Sequence, residues 1–346
     1  QWDGTMFNGR SVDLNWDTKW YSEVAFDNEK WIAEIAIPFK SIRYKDNLTQ
    51  WGISFSRLDL KASEKSGWTP VPRQFPSITM AYSGVLEWDA PPPNQGSNIS
   101  LIPYLSGLKE SPEKNITSNQ LNPGADIKLN LTSSLNLDIT INPDFSQAEV
   151  DRQVTNLDRF ELFFPERRQF FLENADLFGN FGYDNIRPFF SRRIGLENPI
   201  IAGIRLSGNV DEKWRVGLLD IQTQEDLDKG LPAENFGVFS LQRKVLDRSN
   251  IGIIFVNKQS SGELKNTNKS NADYNRNLGL EYNYFSADNL WNGKLMYLKS
   301  FSPDIRDDNA IFASNITYND NHFLGSLQAE YVGQNYNAEM GYVPRS

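Results

Sequence analysis

The chain of 346 residues is 39% hydrophobic and 23% charged, enough apolar material for packed cores, so the composition is not that of a disordered chain. Its formal net charge of −9 argues against a nucleic-acid partner, which needs basic patches to displace phosphate counterions. It contains no Cys, which removes disulfides, thiolate metal sites and Cys nucleophiles together.

No apolar run reaches the roughly 20 residues that a membrane helix needs. Gln1-Trp2-Asp3-Gly4 lacks the basic patch and apolar stretch of a secretory signal, while Tyr336 to Tyr342 still alternates like a strand. The expectation is a fragment cut at both ends. Trp2, Trp16, Trp20, Trp31, Trp51, Trp68 and Trp88 all precede residue 90. Within this front part, Trp31-Ile-Ala-Glu-Ile-Ala-Ile-Pro38 alternates bulky apolar with small or polar residues, and Pro38 stands where a strand would end. Its candidate partners are Tyr21 to Phe26 and Trp51 to Arg57. The pattern predicts an antiparallel sandwich over 1–89 that lacks strands before residue 1. Trp31 and Trp51 are expected in its core, and Trp68 over an edge. The alternative for the exposed rings is a stacking platform for sugars: Trp16, Trp20 and Trp68 would supply the rings, with Arg57 and Glu64 supplying hydrogen bonds.

The stretches Trp31 to Ile42, Trp51 to Arg57 and Ser66-Gly-Trp68 resemble the carbohydrate-binding-module family 9-like domain. That resemblance implies a β-sandwich that grips sugars between aromatic rings, with calcium in a supporting role. The front of that domain would be absent here.

Asp89-Ala-Pro-Pro-Pro-Asn-Gln-Gly96 then marks a linker, set at 90–99. Beyond it, Ala125–Leu131 and Leu135–Asn142 alternate cleanly around Thr132-Ser-Ser134, predicting a hairpin with Ile and Leu on one face and Asp, Lys and Asn on the other. Similar segments recur at Ala202–Leu206, Trp214–Leu218, Phe236–Leu241, Ile251–Val256, Leu278–Phe285, Leu290–Phe301, Ile311–Tyr318 and Phe323–Val332. Gln259–Arg276 and Ser302–Asn309 read as exposed loops. Strands of about 9–11 residues with one apolar and one polar face suit an outer-membrane β-barrel. Trp291, Tyr297, Phe301, Tyr318 and Tyr331 suit its interfacial girdles. The fold class expected is therefore all-β: a partial β-sandwich followed by an antiparallel barrel of the outer-membrane type over 100–346. A large soluble antiparallel protein is the alternative.

The stretch 141–195 does not behave as wall. It interleaves charges of both signs with Phe163-Phe164 and Phe170-Phe171, and the chemistry returns at Pro188-Phe-Phe-Ser-Arg-Arg-Ile-Gly195. An Arg at the lipid midplane of a barrel costs about 2–4 kcal/mol, whereas paired charges in a lumen cost little. The expectation is a constriction or plug held to the wall by Arg167, Arg168, Arg192 and Arg193 against Glu161, Glu166 and Glu173, in a network that also includes Asp144, Glu149, Asp151 and Arg159.

Asn142-Pro-Asp-Phe-Ser-Gln147, Asn156-Leu-Asp-Arg-Phe-Glu161, Phe164 to Glu173 and Phe190-Ser-Arg-Arg-Ile-Gly195 resemble an uncharacterised bacterial family, the domain of unknown function 5916. The resemblance implies a family 9-like domain followed by an outer-membrane barrel, an origin mainly in Bacteroidota, and no established reaction.

For catalysis, the lone His322 precedes a strand at a turn and fits an ordinary loop or rim position, so a Ser–His–Asp triad is not expected. Paired carboxylates for glycoside hydrolysis would have to come from Asp144, Glu149 and Asp151, or from Glu161, Glu166 and Glu173. Neighbouring Arg residues would lower their pKa values, the wrong direction for a general acid. Asp144, Glu149 and Asp151 are also candidate calcium ligands; no other cofactor is indicated. The function expected is an outer-membrane protein that binds or takes up carbohydrate at the cell surface. Its partners would be membrane lipid, a glycan and other outer-membrane proteins. The alternatives are a non-catalytic scaffold and a carboxylate-based hydrolase.

Overall fold

The structure is a computed structural model and describes residues 3–7, 11–13, 18–27, 30–42, 44–45, 47–93, 99–110, 118–132, 134–145, 155, 164, 166–196, 198–227, 229–261, 274–303 and 305–343. These fall into two compact units, one formed by residues 1–97 and one by most of the residues from 98 onward.

Among its described residues the first unit holds β1 (Thr5–Phe7), β2 (Ser11–Asp13), β3 (Tyr21–Phe26), β4 (Trp31–Ala36), β5 (Gln50–Ile53), β6 (Ser56–Asp59), β7 (Glu64–Gly67) and β8 (Gly84–Glu87). They pair as four separate two-stranded ladders, β1–β2, β3–β4, β5–β8 and β6–β7. The expected partnership of β4 with Tyr21–Phe26 is present, and β4 ends ahead of Pro38. The segment starting at Trp51 pairs with β8 instead, which corrects the expected sandwich pairing. Trp31 is 51% exposed and is not core, because among the described residues no second layer covers β4. Trp51 is half-buried in an aromatic cluster, 5.2 Å from Trp88, 4.8 Å from Tyr44 and 6.1 Å from Phe39 between ring centroids.

Among its described residues the second unit is an antiparallel sheet of eleven strands. These are β9 (Ile99–Glu110), β10 (Ser118–Thr132), β11 (Leu135–Ile141), β12 (Ile200–Asn209), β13 (Trp214–Thr223), β14 (Ala233–Val245), β15 (Ser249–Ser261), β16 (Tyr274–Phe285), β17 (Trp291–Phe301), β18 (Ala310–Asn319) and β19 (Leu324–Val332). Each pairs with its neighbours in sequence, and the order runs from β9 at one edge to β19 at the other. No ladder joins these two edges among the described residues, so the predicted barrel strands are seen as one large sheet. Every strand expected between residues 125 and 332 is present, and most extend further, but the alternation at 336–342 forms no strand, because Tyr336 and Met340 turn into the core instead. Gln259–Ser261 and Tyr274–Arg276, expected in a loop, continue β15 and β16, with Gln259 opposite Tyr274. Ser302 and Asn309 are buried, also against expectation, because they bond inward: Asn275 Nδ2 donates to Ser302 Oγ at 3.0 Å and Asn309 Nδ2 to the Ser300 carbonyl at 2.6 Å.

The meander sorts its connections by length. At one end lie the short turns 133–134, 210–213, 246–248, 286–290 and 320–323. At the other lie the longer connections 111–117, 224–232, 262–273 and 302–309, together with the long stretch 142–199. Strand β9 starts at the short-turn end, since it runs antiparallel to β10 with Ile99 opposite Leu129.

One face of the sheet is covered. Ile221, Phe236, Val238, Ile254, Val256, Met296, Leu298 and Ile311 form a core with Phe171, Leu177, Phe178, Phe181, Ile186, Phe189 and Ile194. The latter residues come from the stretch 166–196, whose helical turns α1 (Gln169–Leu172) and α2 (Asp176–Gly179) are one turn each. Tyr336 and Met340, beyond β19, join the same core. Two glycines make this close approach feasible. A Cβ on Gly217 would lie 2.7 Å from the Phe178 ring, and one on Gly279 would lie within 2.8 Å of Phe181, Leu298 and Ile254.

The opposite face is open and apolar. Cross-strand partners form one row, Leu137, Leu206, Leu218, Phe239, Phe255 and Leu278. A second row overlaps it: Leu241, Ile253, Leu280, Tyr297, Phe312 and Tyr331. Leu101 opposite Ile127 continues the pattern on β9 and β10. Tyr297 therefore lies within the apolar row, not at a strand end as expected of a girdle. Trp291 and Tyr318 do meet at the short-turn end, 4.9 Å apart.

Candidate functional site

Strand alternation explains an inversion in β11. Asn136, Asp138 and Thr140 are buried beneath the covering stretch, while Leu135, Leu137 and Ile139 point to the open face. Buried polar groups need partners, and here the register supplies them. Asp138 stands opposite Arg205 of β12. The Arg205 guanidinium, 2% exposed, donates to Asp138 Oδ2 from Nη2 at 2.6 Å and from Nε at 3.2 Å. It also lies 3.6 Å from Glu173 Oε2 and 5.3 Å from the centroid of the Phe170 ring. Glu173 accepts from Asn136 Nδ2 at 2.8 Å and sits 3.8 Å from Lys128 Nζ. Carboxylates of the covering stretch thus meet cations of the sheet. The pattern repeats where Arg215 donates to Asp176 at 2.7 Å.

A second anchor grips the backbone. Gly182 N–H donates to Glu281 Oε2 at 2.9 Å, and Lys294 Nζ donates to the Gly182 carbonyl at 2.5 Å and to Glu281 at 3.1 Å. The adjacent Tyr183 hydroxyl donates to the Lys294 carbonyl at 3.0 Å, and burial pushes its pKa up to about 12. Gly182 adopts φ +94°, and a Cβ there would lie 2.2 Å from the Ile186 carbonyl oxygen, so the clamp requires glycine.

The charged residues expected to tie this stretch to the wall mostly tie it to itself. Arg168 donates to Glu166 from Nε at 2.9 Å and from Nη2 at 2.7 Å, and to the Ile194 and Ser191 carbonyls, each at 2.7 Å. Its guanidinium stacks 4.3 Å from the Phe171 ring centroid and 5.2 Å from that of Phe145. Burial alone would raise the Glu166 pKa, but the hydrogen bonds and charge of Arg168 outweigh it and hold the carboxyl below the usual range. Arg193 Nε donates to the Gly341 carbonyl at 3.3 Å, Arg192 lies 6.0 Å from the Phe164 ring centroid, and Arg167 donates its backbone N–H to Glu166. Arg168 meets its expected partner Glu166, but both lie within the stretch, so this pair does not itself tie the stretch to the wall. That role falls to Arg205, Arg215, Lys128 and Lys294, which alternation alone did not single out. Asp144 is half-buried; Glu149, Asp151, Arg159 and Glu161 lie outside the described residues.

Glu166 sits against Arg168, which favours its ionised carboxylate and does not suit a general acid; Glu173 lies beside Arg205. Among the described residues no group of three His, Asp or Glu side chains could hold a metal ion; two of the three candidate calcium ligands are not among them. His322 is an exposed turn residue whose backbone N–H donates to Asp320 Oδ1 at 2.7 Å.

In the first unit, β6 and β7 bring together three of the candidate sugar-binding residues. Arg57 stands opposite Ser66, and Asp59 opposite Glu64, so Arg57, Glu64 and the following Trp68 share one face of the hairpin. Arg57 Nη2 donates to Asp59 at 3.1 Å. Trp68 is 59% exposed and leans edge-on against Phe55 at 5.6 Å. Trp20 is half-buried just before β3, and Trp16 is outside the described residues.

Residues 97–203 match the family model described as Domain of unknown function (DUF5916). This span contains all four motifs that carried the family resemblance, together with β9 to β11 and the charged stretch. No curated protein and no solved structure matches the chain.

Removing one member of a buried ion pair strands the other, at about 3–5 kcal/mol. Arg205→Ala is expected to lose stability on that scale in guanidinium unfolding. Asp138→Asn/Arg205→Met, which removes both charges, should regain most of it. Glu166, whose folded pKa is depressed, contributes stability above the ordinary carboxylate pKa and loses it as pH falls through the lowered value. Proteolysis of residues 164–195 in acid should therefore be steeper with pH in the parent protein than in Glu166→Gln.

Proposed function

We propose that the second unit is part of the wall of an outer-membrane β-barrel, with its water-side face filled by the charged stretch, and that the first unit is a saccharide-binding module joined to it. The observation carrying this reading is the open face. Its apolar rows run through paired strands from β11 to β19 without a covering layer among the described residues, and a soluble sheet would bury such a face against a second layer. In hydrocarbon the same face needs no cover, and apart from the seven-residue β11 the strands have 9 (β19) to 15 (β10) residues, long enough to span. Charged residues on this face flank the rows: Asp220, Arg276 and Lys299 toward the long connections, and Arg243 beside Trp214 at the short-turn end. The other face combines an apolar core with paired ionised groups, Asp138 with Arg205 and Glu281 with Lys294, which suits a lumen filled by packed chain. Because side chains of the covering stretch pack directly onto the sheet, the wall serves as a plugged anchor, not as an open pore.

The saccharide reading rests on the hairpin face that carries Arg57, Glu64 and the exposed Trp68. A ring presented edge-supported by Phe55, with a guanidinium and a carboxylate beside it, offers both stacking area and hydrogen bonds to a sugar.

An arginine on a barrel exterior costs about 2–4 kcal/mol at the membrane midplane and about 0–1 near the interface. Leu280→Arg should accordingly fold poorly into lipid vesicles by heat-modifiable gel migration, while Gln222→Arg folds as the parent does. Equal folding of both would remove the membrane assignment. On glycan arrays the intact protein should bind, and Trp68→Ala should lose that binding; an array on which the parent binds nothing would remove the saccharide half.

A further inference from the structure

The ordering of connections in the sheet gives the wall a direction. Five turns at one end, 133–134, 210–213, 246–248, 286–290 and 320–323, are all shorter than every connection at the other. Outer-membrane barrels keep short turns on the periplasmic side and longer loops outside. Chain order then says what enters from each side. The linker reaches the sheet through the first residue of β9, which lies at the short-turn end. The covering stretch leaves β11 and returns to β12 at the long-connection end. The segment after β19 also starts there: Gly333 N–H donates to the Ala310 carbonyl and Asn335 N–H to that of Asp308, each at 2.9 Å. It then runs inward to an antiparallel bridge between Tyr342 and Arg187.

We infer that the first unit faces the periplasm and that the plug is inserted from the outer side, so that any saccharide held by the Arg57–Glu64–Trp68 face is met after it has crossed the membrane or is made beneath it. This rests on the membrane reading above and adds sidedness to it. The surface exposed to the medium is then the long-connection end, which includes the connection 302–309.

The absence of Cys makes single-cysteine reporters clean. Lys61→Cys in the first unit, Asp247→Cys in a short turn and Asp307→Cys in a long connection are all exposed positions. Each variant of the full chain is expressed behind a cleavable secretory signal in a diderm host and treated with a membrane-impermeant maleimide, before and after permeabilising the outer membrane. The expected result is labelling of Asp307→Cys in intact cells, with Lys61→Cys and Asp247→Cys labelled only after permeabilisation. Labelling of Lys61→Cys in intact cells overturns the inference. Fractionation of the same cells separates the two levels: protein retained in the outer membrane with Lys61→Cys labelled refutes only the sidedness, whereas protein found in the soluble fraction refutes the membrane reading as well.

Discussion

The second unit depends on one constraint: a strand presents two faces, and each must find its own environment. The alternation in β11 is the plainest case. Leu135, Leu137 and Ile139 go one way, and Asn136, Asp138 and Thr140 go the other. In a water-soluble sheet the leucine side would be the buried one. Here the polar side is buried, and that is tolerable only because a separate piece of chain brings partners to it. The covering stretch therefore does more than fill space. Glu173, Asp176 and the peptide at Gly182 each complete a hydrogen-bonding requirement that the sheet leaves open.

The division of labour among charges follows from this. An isolated buried ion is costly, so every strand cation facing inward needs a carboxylate close at hand. Arg205 finds one on the neighbouring strand and a second on the covering stretch, and Lys258 is held between Glu234 and Glu339 at 2.8 and 3.2 Å. The arginines of the covering stretch serve a different purpose. Arg168 ties its own segment into a compact object by bonding Glu166 and two carbonyls on one side and stacking on Phe171 and Phe145 on the other. Internal ties set the shape of the stretch, and ties from the sheet fix where it sits.

Much of this architecture was legible in the sequence, for a physical reason. Period-two alternation is local, so segments such as Leu135–Asn142 and Leu278–Phe285 identify themselves without knowledge of their partners. Pairing between distant segments is not local. Asp138 and Arg205 are 67 residues apart, separated by the whole charged stretch, and nothing in either strand names the other. The Gly182 clamp was equally hidden, because the groups held there are a backbone N–H and a carbonyl. The opposite error occurred at Trp31. Its alternation resembles a buried strand, but burial requires a covering layer, and alternation says only that a strand could use one.

The edges of the sheet set the remaining requirement. Strands β9 and β19 both start at the short-turn end, because a meander of eleven strands reverses direction ten times. A direct ladder between them would be parallel in a sheet whose every other ladder is antiparallel. Unpaired N–H and C=O groups cost several kcal/mol each in hydrocarbon, so a wall in lipid cannot leave these edges bare. Partners that are antiparallel to both edges must come in an odd number. The outward residues of β19, Leu327 and Tyr331, are among the most exposed of the apolar row. The inward Ser326, Gln328 and Glu330 of the same strand are exposed too. The covering stretch thus stops short of β19 on one face while the apolar row continues on the other.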